Sequence, residues 1–136
     1  MKRFLLDTNG LLRYSLKDIP VQSEQIAQVF RLVKNGKVEL TIPLIVFFEA
    51  TYTLTKFYGY TRVAVKEKYE TLLLAPYIDI PDRYILREAY ATWAQHPGVS
   101  FADAVLLHTA KLGGKELLTF DRKLKRLAEK TEKDGD

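Results

Sequence analysis

Short apolar runs alternate along the chain with longer stretches in which apolar residues return every three or four positions. Phe4-Leu5-Leu6 ahead of Asp7 predicts a buried first strand over Phe4–Asp7, followed by a helical stretch from about Gly10 to Leu16. Ser23 is placed to cap a second helix, in which Ile26, Val29, Phe30 and Val33 fall at i, i+3, i+4 and i+7 and which Gly36 ends. Val38–Ile42 predicts a second strand. Pro43 then opens a helix to about Phe57 that is apolar on most sides and therefore expected to be buried. Gly59 breaks the pattern, Thr61 starts a helix to about Leu74, and Tyr77–Ile80 predicts a short strand. Asp82 is expected to cap a helix with Ile85, Leu86, Ala89, Tyr90 and Trp93 on one face, and His96-Pro97-Gly98 is a break. Ser100 to Leu112 predicts a helix stopped by Gly113-Gly114, Leu117–Thr119 a last strand, and Asp121 to about Lys130 a basic helix.

Strands alternating with longer helices predict an α/β fold with a mainly parallel central sheet. No repeat, low-complexity tract or linker interrupts the pattern. A single domain over residues 1–130 is expected, with 131–136 as a disordered tail. A chain of 136 residues is long enough to bury a core of its own.

Composition narrows the chemistry. With no cysteine, disulfides, thiolate metal sites and a cysteine nucleophile are excluded. The apolar start is too short for a signal peptide or membrane span, so a cytoplasmic protein is expected. The net charge of +4 comes from 21 Lys and Arg against 17 Asp and Glu, a weak hint of a polyanionic partner. The hint strengthens if several acids gather at one point, because the remaining surface is then more basic than the total. There is no Walker A loop, Gly-x-Gly-x-x-Gly or Gly-x-Ser-x-Gly motif.

Ligands of open α/β sheets bind beyond the carboxyl ends of the strands. Asp7 closes the first strand and Asp121 follows the last, so both belong at that rim. Asp103 lies in the first turn of its helix, and Glu49 is the one ionisable group in Leu44-Ile45-Val46-Phe47-Phe48-Glu49-Ala50. Each acid also has a structural explanation. Asp7 and Asp121 suit helix caps, and Asp103 stands three after Ser100, as in a capping box. Glu49 resists such an account best, since a buried carboxylate needs a cation or several donors. Gathered carboxylates repel one another, and a bound Mg²⁺ or Mn²⁺ relieves that repulsion because hard cations prefer oxygen ligands. Such ions orient water for attack on a phosphodiester and neutralise the charge that develops; one ion and two are equally compatible with the sequence.

Phe4-Leu5-Leu6-Asp7-Thr8-Asn9 resembles the first motif of PIN-domain nucleases. Glu49 after the second strand, Ser100-Phe101-Ala102-Asp103, and Thr119-Phe120-Asp121 match the remaining motifs in order and approximate spacing. The resemblance spans about residues 3–128. It implies a three-layer α/β/α fold with a parallel sheet and Mg²⁺- or Mn²⁺-dependent endoribonuclease activity. In a chain consisting of little else, it also implies a VapC-type toxin, homodimeric and inhibited by a small antitoxin. It places Asp7, Glu49, Asp103 and Asp121 around the metal, with Thr8 or Asn9 assisting by hydrogen bonding and Ser100 or Thr119 supporting the acids.

Two rival classes are a non-catalytic RNA- or protein-binding module on the same fold, and a phosphoryl-transfer domain with a nucleophilic aspartate. The first gives no reason to gather four acids, and the second lacks a partner acid beside Asp7. His96 and His108 form no compelling site, the latter lying about 140° round its helix from Asp103. Lys111, Lys115, Arg122, Lys123, Lys125 and Arg126 form a basic C-terminal region that reads either as a solvated helix face or as phosphate contacts.

Overall fold

The computed structural model describes residues 1–135, with side chains through Lys130. Side chains of the expected tail 131–136 lie outside the described set, as does Asp136 altogether. The chain divides into two compact units, Met1–Arg83 and Tyr84–Asp136.

The first unit contains β1 (Lys2–Leu5), α1 (Thr8–Leu16), α2 (Pro20–Lys34), β2 (Val38–Thr41), α3 (Leu44–Phe57) and α4 (Arg62–Leu74). β1 and β2 pair in parallel, from Lys2 opposite Val38 to Leu5 opposite Thr41, and the Leu6 N–H extends the ladder to the Thr41 carbonyl. Parallel strands need a crossover, and α1 and α2 provide it. The core is built from Leu11, Leu40, Ile42, Phe47, Leu54 and Val65, all nearly or wholly buried. Through its centre runs a polar link. Ser15 Oγ donates to the Leu11 carbonyl, so it accepts from Tyr69 Oη, 2.7 Å away. Burial pushes the Tyr69 phenol well above its ordinary pKa, with the Ser15 hydrogen bond opposing, so the hydroxyl stays a donor. The Tyr69 ring stands edge-on to Phe47 at 5.5 Å between centroids, tying α1, α3 and α4 together.

The second unit holds α5 (Arg83–Gln95), which begins on the last residue of the first unit, then α6 (Phe101–Leu112) and α7 (Arg122–Gly135). The apolar face expected on α5 is buried in full. Tyr90, Trp93 and Phe101 form one aromatic cluster, with Phe101 4.5 Å from Tyr90 and 5.4 Å from Trp93. His108 on α6 is buried and shares a 2.7 Å hydrogen bond with Thr92 on α5. Burial above all holds its pKa below the ordinary value, with Glu88 opposing and Lys111 assisting. A neutral imidazole fixed inside the packing is a structural residue.

The structure departs from the expected elements in several places. α2 starts at Pro20 rather than behind Ser23, because proline at the first position already has helical φ and lacks the N–H that would go unbonded. Ser23 Oγ instead bonds the Arg13 carbonyl at 3.1 Å. β1 is not buried. It has one ladder partner, Phe4 is half-buried, and Leu5 is 70% exposed.

Tyr77–Ile80 makes only a single parallel bridge, Asp79 to Thr41. Prolines 76 and 81 flank it, and the Arg83 guanidinium takes the Ile78 carbonyl, along with that of Leu73 at the end of α4. Leu117–Thr119 forms no strand. Residues 115–120 are irregular, with Leu118 92% and Phe120 fully exposed, because an apolar run becomes a strand only where a ladder accepts its backbone. No helix among the described residues is long and apolar enough to cross a membrane.

Candidate active site

Asp7 leaves β1 at its carboxyl end in an extended conformation and caps α1, its Oδ1 accepting from the Gly10 N–H at 2.8 Å. The cap satisfies one of the N–H groups that a helix start leaves unbonded, and it fixes the carboxylate rotamer. Gly10 has to lack a side chain. A methyl group there would collide with buried Leu6 and approach Asp7 Oδ1 to 3.4 Å. The structural role open to Asp7 is thus filled, and it leaves the second carboxylate oxygen facing outward on an exposed residue.

Glu49 lies in the second turn of α3. The expectation of a buried carboxylate fails here. α3 buries Val46, Phe47, Ala50, Thr51 and Leu54 and leaves Ile45, Glu49 and Tyr52 on its exposed side. An apolar composition on most sides does not settle which side faces the core, and the 3.6-residue period puts position 49 outside. Glu49 is held instead by Thr8, whose Oγ1 donates to Oε1 at 2.8 Å. That bond joins the residue after Asp7 to the helix after β2, so the carboxyl ends of both strands serve one locus.

Thr8→Val keeps the shape and removes the donor. Cleavage of RNA in Mn²⁺ is expected to fall about 10- to 100-fold, the usual cost of losing a hydrogen bond that orients a ligand. Thr8→Ser should recover most of it. Equal activity in all three proteins would deny Thr8 a positioning role.

In the second unit Ser100 caps α6, its Oγ accepting from the Asp103 N–H at 3.1 Å, and Asp103 is half-buried in the first turn. Asp121 is exposed and caps α7: Oδ1 accepts from the Leu124 N–H at 2.9 Å. Its own N–H donates to Thr119 Oγ1 at 3.1 Å. Ser100 and Thr119 therefore bond the backbone of Asp103 and Asp121 rather than their carboxylates. Asn9 is exposed.

The ion pairs among the described residues are Arg3–Glu39, Arg13–Asp18 and Arg31–Glu24, so none of the four acids is neutralised by a protein cation. Oxygen-only donors with no competing cation fit a hard divalent ion, and a helix N–H or a hydroxyl group sets the orientation of Asp7, Glu49 and Asp121. The fit is partial. Among the described residues no three such side chains stand together as a ready-made metal site. Thr8 links the Asp7 and Glu49 segments in the first unit, while Asp103 and Asp121 each sit at a helix start in the second.

Sequence reading did not single out Gly10, and it assigned support to Thr8 only in general terms. The signal for both was a small residue three after, and a hydroxyl directly after, an acid that ends a strand.

A PIN domain model matches residues 4–130, and the chain belongs to the PIN domain family. The α/β class expected from the sequence holds, with a parallel sheet and, among the described residues, seven helices. The chain is 29% identical to a protein named VapC ribonuclease from Aquifex aeolicus (strain VF5), over 127 residues that cover 93% of each chain. No solved structure matches.

Proposed function

We propose that the chain is a metal-dependent endoribonuclease in which Asp7, Glu49, Asp103 and Asp121 hold Mg²⁺ or Mn²⁺. The observation that carries the reading is the Thr8–Glu49 hydrogen bond, which ties the helix carrying Glu49 to the residue directly after Asp7 at the carboxyl ends of paired parallel strands. Family membership and the likeness to a protein named VapC ribonuclease support RNA as the substrate. When bound, a divalent ion supplies charge neutralisation at the scissile phosphate. The chain's own part is orientation and proton transfer. Gly10 N–H and Thr8 Oγ1 fix Asp7 and Glu49, and one carboxylate takes a proton from the attacking water as the phosphorus–oxygen bond to the leaving sugar breaks.

The same reading makes the chain a cytoplasmic toxin of a toxin–antitoxin pair, a homodimer restrained by a small antitoxin. Exposed Tyr52, Phe57, Tyr58 and Val63 around the end of α3 supply apolar surface for such contacts.

The test is a mixed pool of structured cellular RNAs incubated with the protein in Mg²⁺, Mn²⁺ or EDTA, beside Asp7→Asn. The amide retains an oxygen to cap α1, so the variant should fold. Discrete cuts that require metal and vanish in the variant are expected. Cuts that persist in EDTA, or unchanged in Asp7→Asn, would overturn the mechanism.

A further inference from the structure

The second unit contains a cavity of about 340 Å³ between the His96–Val99 turn and α7, lined by none of the four acids. Lys123, Arg126 and Lys130 line it together with Leu127. At 100° per residue these four positions fall on one side of α7, along roughly 10 Å of helix axis. The turn opposite is shaped for them. A Cβ on Gly98 would stand 3.0 Å from Lys123 Nζ and 3.1 Å from its Cδ, so a side chain there would press the lysine back from the turn. Among the described residues no carboxylate lines the cavity, and none of the three cations forms an ion pair. Three like charges converge on one hollow with no counter-charge among the described residues, an arrangement that an anion stabilises.

We propose that this pocket binds the sugar–phosphate backbone of single-stranded RNA. The ligand class rests on the nuclease reading above; the pocket itself rests on its own geometry. Its volume is that of a small-molecule site, enough for a nucleotide unit and more than a bare anion needs. Lysine and arginine in a row suit successive phosphates. An acidic protein segment fits less well, because the lining holds no Trp, Tyr or Phe of the kind that anchors protein interfaces. Of the basic C-terminal region in the sequence, the structure thus selects Lys123 and Arg126, and adds Lys130.

The experiment measures anisotropy of a fluorescein-labelled, unstructured 12-nucleotide RNA in EDTA, using the full chain carrying Asp7→Asn so that nothing is cut. Salt dependence is compared for four proteins: that parent, a Lys123→Gln/Arg126→Gln/Lys130→Gln triple, a Lys34→Gln/Lys37→Gln/Lys66→Gln control of equal net charge, and Gly98→Val. The triple is expected to bind at least about 10-fold more weakly, with a log–log salt slope shallower by about 2, since each phosphate neutralised on a single strand adds about 0.7 to the slope. Gly98→Val, which changes no charge, is expected to weaken binding by displacing Lys123; it also tests the pocket if the triple does not fold. Equal weakening in the control and the triple would reduce the effect to net charge and overturn the site. So would a polyglutamate peptide that displaces the RNA at equal charge concentration, which would mark an acidic-peptide site instead. Because binding is read without metal or cleavage, the pocket and the nuclease reading can fail separately.

Discussion

Glu49→Gln is expected to lower metal-dependent RNA cleavage by about 100-fold or more while leaving Tm close to that of the parent. The substitution keeps the side-chain length and the oxygen that accepts from Thr8 Oγ1, so the link between the start of α1 and α3 survives. What is lost is the negative charge. Losing an orienting partner of a ligand costs 10- to 100-fold, and losing the ligand's own charge costs more. The fold has little at stake, because Glu49 is exposed and forms no ion pair among the described residues. Activity is read in Mn²⁺ on a substrate that the parent cuts, with a thermal melt alongside. An unchanged rate would remove Glu49 from the site, and a collapsed Tm would make it a structural residue.

Phe47→Ala, two residues earlier on the same helix, is expected to do the reverse. Phe47 is fully buried, and its ring meets Tyr69 edge-on at 5.5 Å. Truncating a buried phenylalanine costs about 3–5 kcal/mol, from lost apolar transfer and the cavity left behind. For a chain of this length that lowers Tm by on the order of 10 °C. Activity per folded molecule should change far less at low temperature than it does for Glu49→Gln. A Tm within about 2 °C of the parent would mean that the surroundings refill the space, and that the Phe47–Tyr69–Ser15 link does not govern the placement of α3.

The contrast between these neighbours shows what was legible in the sequence. Position 47 reads as core because the helix is apolar on most sides, and the structure agrees. Position 49 reads as a buried charge only if the whole of α3 is taken as enclosed; the orientation of the helix, set by what it packs on, puts the carboxylate in water. Local signals fared best. Thr61 caps α4 through the Ala64 N–H, the α5 face is buried as patterned, and Ser100 caps α6. Expectations that depended on distant partners fared worst. Strands over 77–80 and 117–119 have the right residues, yet a ladder needs a second chain segment that composition does not display. The pocket on α7 was invisible for the same reason, since His96-Pro97-Gly98 reads as a break until the helix lying across it is known.

Asp7 and Asp121 each spend one carboxylate oxygen on the helix that follows, Asp7 on the Gly10 N–H and Asp121 on that of Leu124. Asparagine offers the same acceptor, and its codons differ from those of aspartate by a single base. One nucleotide change can therefore remove the charge of either acid while its helix remains capped, whereas a change to alanine forfeits the cap as well, typically by about 1 kcal/mol. On the proposed nuclease reading, loss of activity and loss of fold are separable at these positions through one short mutational route. A lineage released from selection for cutting would reach an inactive, well-folded relative by that route first.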